Sequence, residues 1–107
     1  MIYIASPYTA GGADEALMQE RYEQACIATA KMTRNGHTVF SPIVHSHPLT
    51  RCGVEGLGHD FAYWSKIDYE FIDLCDELVV LKLDGWRDSK GIAEEVKYAE
   101  SKGKIYM

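Results

Sequence analysis

Four short apolar runs, IYIA (2–5), HTVFS (37–41), ELVVLKL (77–83) and KIYM (104–107), alternate with longer segments whose apolar residues recur at helical spacing. Strands separated by helix-length segments cannot close as hairpins. They pair in parallel through right-handed crossovers, and the resulting sheet needs helices on both faces. The expected element order is therefore β-α-β-loop-α-β-α-β.

The first helix is expected over about 13–35, with apolar residues near Ala16, Met18, Tyr22, Ala25, Cys26 and Ala30, and Asn35-Gly36 as its stop. Pro42 cuts off the second strand, and SPIVHSHPLTRCGVEGLG (41–58) reads as a long loop rich in Gly, Pro and Ser, closing over a ligand. The segment 59–75 carries Trp64, Ile67, Phe71 and Leu74 on one helical face. ELVVLKL is apolar in the manner of a parallel strand covered on both sides. The turn DGWRDS leads to the last helix, which ends at Gly103.

With 107 residues there is room for one domain and one core. The expected fold class is α/β: a single three-layer domain over residues 1–107, of the flavodoxin or Rossmann kind, with a small parallel sheet in the order 2-1-3-4. A composition of 47% hydrophobic and 25% charged residues fits a chain that folds in water, and no apolar run approaches the ~18 residues of a membrane span. The opening MIYIASPYT has no basic n-region, so a cytoplasmic protein with no membrane partner is expected. Cys26, Cys52 and Cys75 are odd in number and lack CxxC spacing, which argues against disulfides and a cysteine zinc site. A net charge of -5 without a Lys/Arg cluster argues against gripping a nucleic-acid polymer, while a single nucleotide needs only local donors.

In an open parallel sheet the ligand crevice lies beyond the carboxyl ends of the strands where the order reverses, here strands one and three. Those ends deliver SPYTAGG (6–12), with Ser6, Tyr8, Gly11 and Gly12, and DGWRDSKG (84–91), with Trp86, Ser89 and Gly91. Trp86 reads as a crevice wall and Trp64 as a core anchor. At about 100° per residue, Ile92, Val96 and Ala99 form the packed face of the last helix; Glu95 borders it and Glu94 points away. By position alone both glutamates are ordinary helix charges. Asp68, flanked by Ile72 and Cys75, is either a buried structural acceptor or half of an acid/base pair with Glu95. Ser89 is the expected N-cap, and the amides of Lys90 and Gly91 beside it suit an anion as well as a plain helix start.

IYIASPY (2–8), DYEFIDLCDELVVL (68–81) and the pattern SKGIAEEVxxAxxxGKI (89–105) resemble the nucleoside 2-deoxyribosyltransferase superfamily, which includes the 2'-deoxynucleoside 5'-phosphate N-hydrolases. The resemblance covers nearly the whole chain. It implies a catalytic glutamate at Glu95, after the Ser-Lys-Gly turn and four positions before Ala99, and a ribose-side aspartate at Asp68. It also implies N-glycosidic bond cleavage or base exchange on a nucleoside or nucleoside 5'-monophosphate, no cofactor, no metal, and a homodimer or tetramer that completes the pocket. The loop 6–12 lacks the arginine that the phosphate-preferring hydrolases carry there. The alternative function is a nucleotide-binding or sensing module of the same fold without turnover. The chemistry asks for carboxylates: positive charge develops at C1' as the bond breaks, an anion beneath it can form a glycosyl ester, and a second carboxyl can hold the sugar or move a proton. His45, His47 and His59 with Asp60 suggest a metal site on an extended segment but lack a further ligand at telling spacing, so none is expected.

Overall fold

The structure, a computed structural model, describes residues 1–58 and 60–106. Its elements are β1 (Ile2–Ala5), α1 (Glu15–Arg34), β2 (Val39–Phe40), α2 (Pro42–Leu49), α3 (Phe61–Leu74), β3 (Glu77–Val80), a 3-10 turn (Trp86–Asp88), α4 (Lys90–Ser101) and β4 (Ile105–Tyr106). His59 and Met107, read above as the ends of the third helix and the last strand, lie outside the described residues.

β1 pairs in parallel with β3 from Ile2↔Glu77 to Ala5↔Val80. On its other side it pairs with β2 through Ile2↔Val39 and Tyr3↔Phe40. The two residues of β4 extend the far side of β3, also in parallel. The protein is thus an α/β fold built on a small open parallel sheet. The chain leaves β1 toward β2 and then returns past β1 to β3, so right-handed crossovers put α1 on one face and α3 on the other. The packing of α1 on α2 and of α3 on α4 agrees with that division. All four residues of β1 are buried, as a central strand covered on both faces requires. The core joins Tyr3, Ala5, Leu78 and Val80 of the sheet to Ile72, Cys75, Ile92 and Ala99.

Asp14 caps α1 by accepting from the Leu17 amide at 2.9 Å. The buried positions of this helix are Arg21 and Ala25, while Ala16 and Ala30 are exposed. Alanine is a weak marker of a buried face, and the residue that matters most here is a cation.

Three other elements differ from the sequence reading. Residues 42–49 are helical and not loop, because Ser41 accepts from the Val44 amide at 3.2 Å and Pro42 sits where its missing N–H costs nothing. A proline after a serine was a helix start. On α3 the buried positions are Asp68 and Ile72, followed by Cys75, and Leu74 is 69% exposed. Counting apolar residues turned that helix by most of a quadrant, since a carboxylate occupies the middle of its true inner face. β3 stops at Val80, with Leu78 and Val80 buried and Glu77 and Val79 half-buried.

Candidate active site

A cavity of about 510 Å³ opens beyond the carboxyl ends of β1 and β3. Ser6, Tyr8 and Gly11 line it from the loop after β1, Ile43 and Ser46 from α2, Trp64 and Asp68 from α3, and Ser89, Gly91 and Glu95 from the start of α4. Seven of the residues singled out from the sequence therefore share one space: Glu95, Asp68, Ser6, Tyr8, Gly11, Ser89 and Gly91.

Gly12 and Trp86 do not line it. Gly11 and Gly12 both hold positive φ, 76° and 70°, in a turn that carries the chain away toward α1. Trp86 folds back against the core, with the Lys82 ammonium 5.1 Å from its ring centre. Trp64, expected in the core, lines the cavity and is steadied by its indole N–H donating to the Gly58 carbonyl at 2.8 Å. The two tryptophans have exchanged their expected roles, because Gly85 at φ +91° reverses the chain just before Trp86.

α4 settles the orientation of its two glutamates. Ser89 caps the helix through the Ile92 amide at 3.1 Å, and Ile92, Glu95 and Ala99 are its buried stripe. Glu95 is 4% exposed and Glu94 faces outward. The Tyr3 hydroxyl, on β1 below, donates to Glu95 Oε2. Burial pushes the Glu95 carboxyl up to about 8, against the Tyr3 hydrogen bond and with a further push from Asp68. Asp68 is 6% exposed and is raised to about 7 by burial. Two carboxyl groups that each resist ionisation therefore face one cavity and repel one another when charged.

Sequence reasoning passed over Tyr3 as one more apolar strand residue. A buried tyrosine hydroxyl nonetheless demands a partner, and that demand was the available signal. It also passed over Arg21. This guanidinium reaches up from α1 and donates to the Tyr8 and Ala10 carbonyls at 2.9 Å each and to the Asp84 carbonyl at 3.1 Å. It thereby fastens together the loops that follow β1 and β3. A Cβ at residue 85 would stand 2.7 Å from its Nη2, so Gly85 is required for contact as well as for its backbone angle. The loop 6–12 has no arginine of its own, yet one is built beneath it. At the floor of the cavity, Ser6 Oγ is buried without a hydrogen-bond partner among the described residues.

The histidines also separate. On helical α2, His45 and His47 point in different directions: His45 lies 5.6 Å from Phe40 and 5.9 Å from Phe71, while His47 stacks on Tyr22 at 4.3 Å. Among the described residues no three His, Cys, Asp or Glu side chains are grouped to hold a metal ion, and His59 lies outside them. No described helix is long and apolar enough to cross a membrane.

A comparison with curated proteins finds no match. A family described as a domain of unknown function, DUF1937, matches residues 1–107. The chain belongs to the DUF1937 family.

Proposed function

We propose that the protein cleaves the N-glycosidic bond of a (deoxy)nucleoside or nucleoside 5'-monophosphate, with Glu95 as nucleophile and Asp68 as its acid/base partner. The observation that carries this reading is the pair of buried carboxyl groups on one cavity, one of them gripped by a tyrosine hydroxyl. In the first step a Glu95 oxygen bonds to C1', the C1'–N bond breaks, and the base leaves with the electron pair and the Asp68 proton. In the second step water attacks C1' of the ester, giving its proton to Asp68 and freeing Glu95; a second base in place of water gives exchange. The unpaired Ser6 hydroxyl and the first amides of α4, which have no carbonyl within the helix, supply further partners for sugar or phosphate oxygens.

Chromatography of free base, after incubation with deoxynucleosides, ribonucleosides, their 5'-monophosphates and NAD, tests the proposal. Binding without base release supports the alternative, a nucleotide-binding module. One observation favours that alternative: burial keeps Glu95 protonated at neutral pH, which masks the nucleophile.

Proton inventory makes the catalytic reading specific. Attack needs Glu95 ionised, so the rate rises as pH climbs through about 8, while leaving-group protonation needs Asp68 neutral and fails as pH passes about 7. A bell with a narrow maximum between those values is the expected profile, each limb belonging to the coupled pair. Asp68→Asn removes the proton donor and the charge that helps raise Glu95. It should lower turnover by roughly 10²-fold or more and move the acid limb to lower pH. An unchanged profile in that variant reduces Asp68 to a structural residue.

We further propose that the protein works as a homodimer, or a tetramer of dimers, joined through the α3 region. Phe61, Tyr63 and Leu74 are 37%, 40% and 69% exposed along α3, more apolar surface than one helix of a monomer usually leaves in water. Light scattering at micromolar concentration should give at least twice the 12.1 kDa chain mass. A 12 kDa species that still releases base defeats the idea.

A further inference from the structure

Among the described residues a single buried side-chain polar atom lacks a hydrogen-bond partner, and it is Ser6 Oγ on the cavity. At 6% exposure this hydroxyl has given up most of its contact with bulk water and gained no protein contact in return. A group in that state destabilises the fold that holds it. The backbone around it leaves no way out. The Ala5 carbonyl just before it accepts from the Leu81 amide at 2.8 Å, and Pro7 just after it is fully buried and restricts Ser6 to extended conformations. With the chain pinned on both sides, only rotation about the Cα–Cβ bond can move Oγ.

Burial grades the cavity by depth. Phe61 and the exposed Asp60, Asp88 and Lys90 mark its mouth, whereas Ser6, Asp68 and Glu95, each more than nine-tenths buried, mark its floor. Trp64 lies four residues nearer the start of α3 than Asp68, about 6 Å of helix, so the flat aromatic walls belong to the outer part. Charge then sorts what can reach the floor. Among the described residues that line the cavity the one cation is Lys90, at the mouth. Arg21 is committed to the three loop carbonyls, and Arg51, ion-paired with Glu15, lines a separate hollow that shares Tyr8 and Thr9 with the cavity. An anionic oxygen on Ser6 would be buried beside two carboxyl groups with no cation to answer it. An uncharged hydroxyl meets no such penalty, and a serine hydroxyl can both donate to it and accept from it.

We infer that Ser6 is a specificity-determining residue whose hydroxyl is held open to receive an uncharged sugar hydroxyl of the substrate. The chemistry proposed at C1' sets the sugar at the floor beside Asp68 and Glu95, and the base toward Phe61 and Trp64. A substrate without the matching hydroxyl leaves Ser6 unpartnered in the complex as well, which is the mismatch that polar sites reject. The identity of the sugar rests on the nucleoside reading; the open hydroxyl does not.

Two measurements on the whole chain decide it. Ligand-free Ser6→Ala should melt a few degrees above the parent in calorimetry, because the substitution removes an unmet polar group and little volume. Melting at or below the parent's temperature would show a hydroxyl already satisfied in the free protein, by an ordered water for instance, and would overturn the inference. The second measurement is titration calorimetry in the Glu95→Gln background, where nothing turns over, with adenosine, cytidine, guanosine, uridine and the 2'-, 3'- and 5'-deoxy forms of whichever binds best. One deoxy form should bind about tenfold more weakly than its parent nucleoside, and Ser6→Ala should weaken the parent nucleoside by the same factor and erase the difference. Equal weakening of every form by Ser6→Ala, or weakening of none, overturns the inference. If no nucleoside binds, the nucleoside reading fails and takes the sugar assignment with it, and the melting comparison alone then decides whether the hydroxyl is held open.

Discussion

Glu95→Gln should abolish base release and, in the same protein, raise stability at alkaline pH. The amide keeps the size of the side chain and an oxygen for the Tyr3 hydroxyl, but it cannot form the ester, so a loss on the order of 10⁴-fold or more is expected. The stability effect follows from burial. The folded-state pKa of Glu95 is raised from the ordinary 4.5 to about 8, so the folded protein holds a proton that the unfolded chain gives up. Its contribution is complete below about 4.5 and is lost as pH rises through about 8, at up to about 1.4 kcal/mol per pH unit. Glutamine does not titrate, so urea unfolding of the variant should lose less stability between pH 6 and pH 9 than the parent does. Glu94→Ala is the control, since that side chain is exposed, and it should change neither quantity. Equal loss of base release from both variants would remove Glu95 from the chemistry.

Arg21→Met should be the most damaging substitution away from the carboxyl pair. It keeps much of the aliphatic stem and leaves three carbonyls, of Tyr8, Ala10 and Asp84, without their charged donor. Hydrogen bonds to charged groups contribute about 1.5–3 kcal/mol each, and water entering the crevice recovers part of that, so a loss of roughly 3–5 kcal/mol is expected. For a domain of this size the melting temperature should fall by roughly 15 °C or more. Arg21→Lys should recover only a fraction, because one ammonium cannot span two loops as a planar fork does. Calorimetry checks both, and a methionine variant melting within a few degrees of the parent would show that water serves those carbonyls equally well.

What could be read in the sequence, and what could not, divides along physical lines. The α/β class followed from the alternation of strand and helix periods, because periodicity is a property of the backbone and survives without tertiary detail. Cap residues placed the end of α1 and the start of α4, since Asn35-Gly36 stops the one and Ser89 satisfies an amide at the head of the other. The separation of Glu95 from Glu94 followed from the 100° step alone. The inner face of α3 did not, because hydrophobicity counts Asp68 as an outside residue when it lies at 6% exposure. α2 was hidden for a related reason: serine and proline serve turns and helix starts alike, and the choice depends on what lies beneath. Arg21 could not be assigned to the site, and Tyr3 signalled only that its buried hydroxyl needed some partner. Their roles are made by partners far along the chain, and no local pattern records a guanidinium reaching carbonyls across two loops.

The register of β1 carries a consequence for the order of assembly. Residues 2–5 are made before residues 77–80, with which they complete their pairing, and α4 with Glu95 follows later still. The apolar IYIA segment must therefore wait, with one edge open, until residues 77–80 have been made. Closing so long a loop is slow, and an unpaired apolar strand edge is what aggregation feeds on in the meantime. The crevice is consequently among the last features to form, and its earliest strand is the part of the nascent protein most in need of shelter.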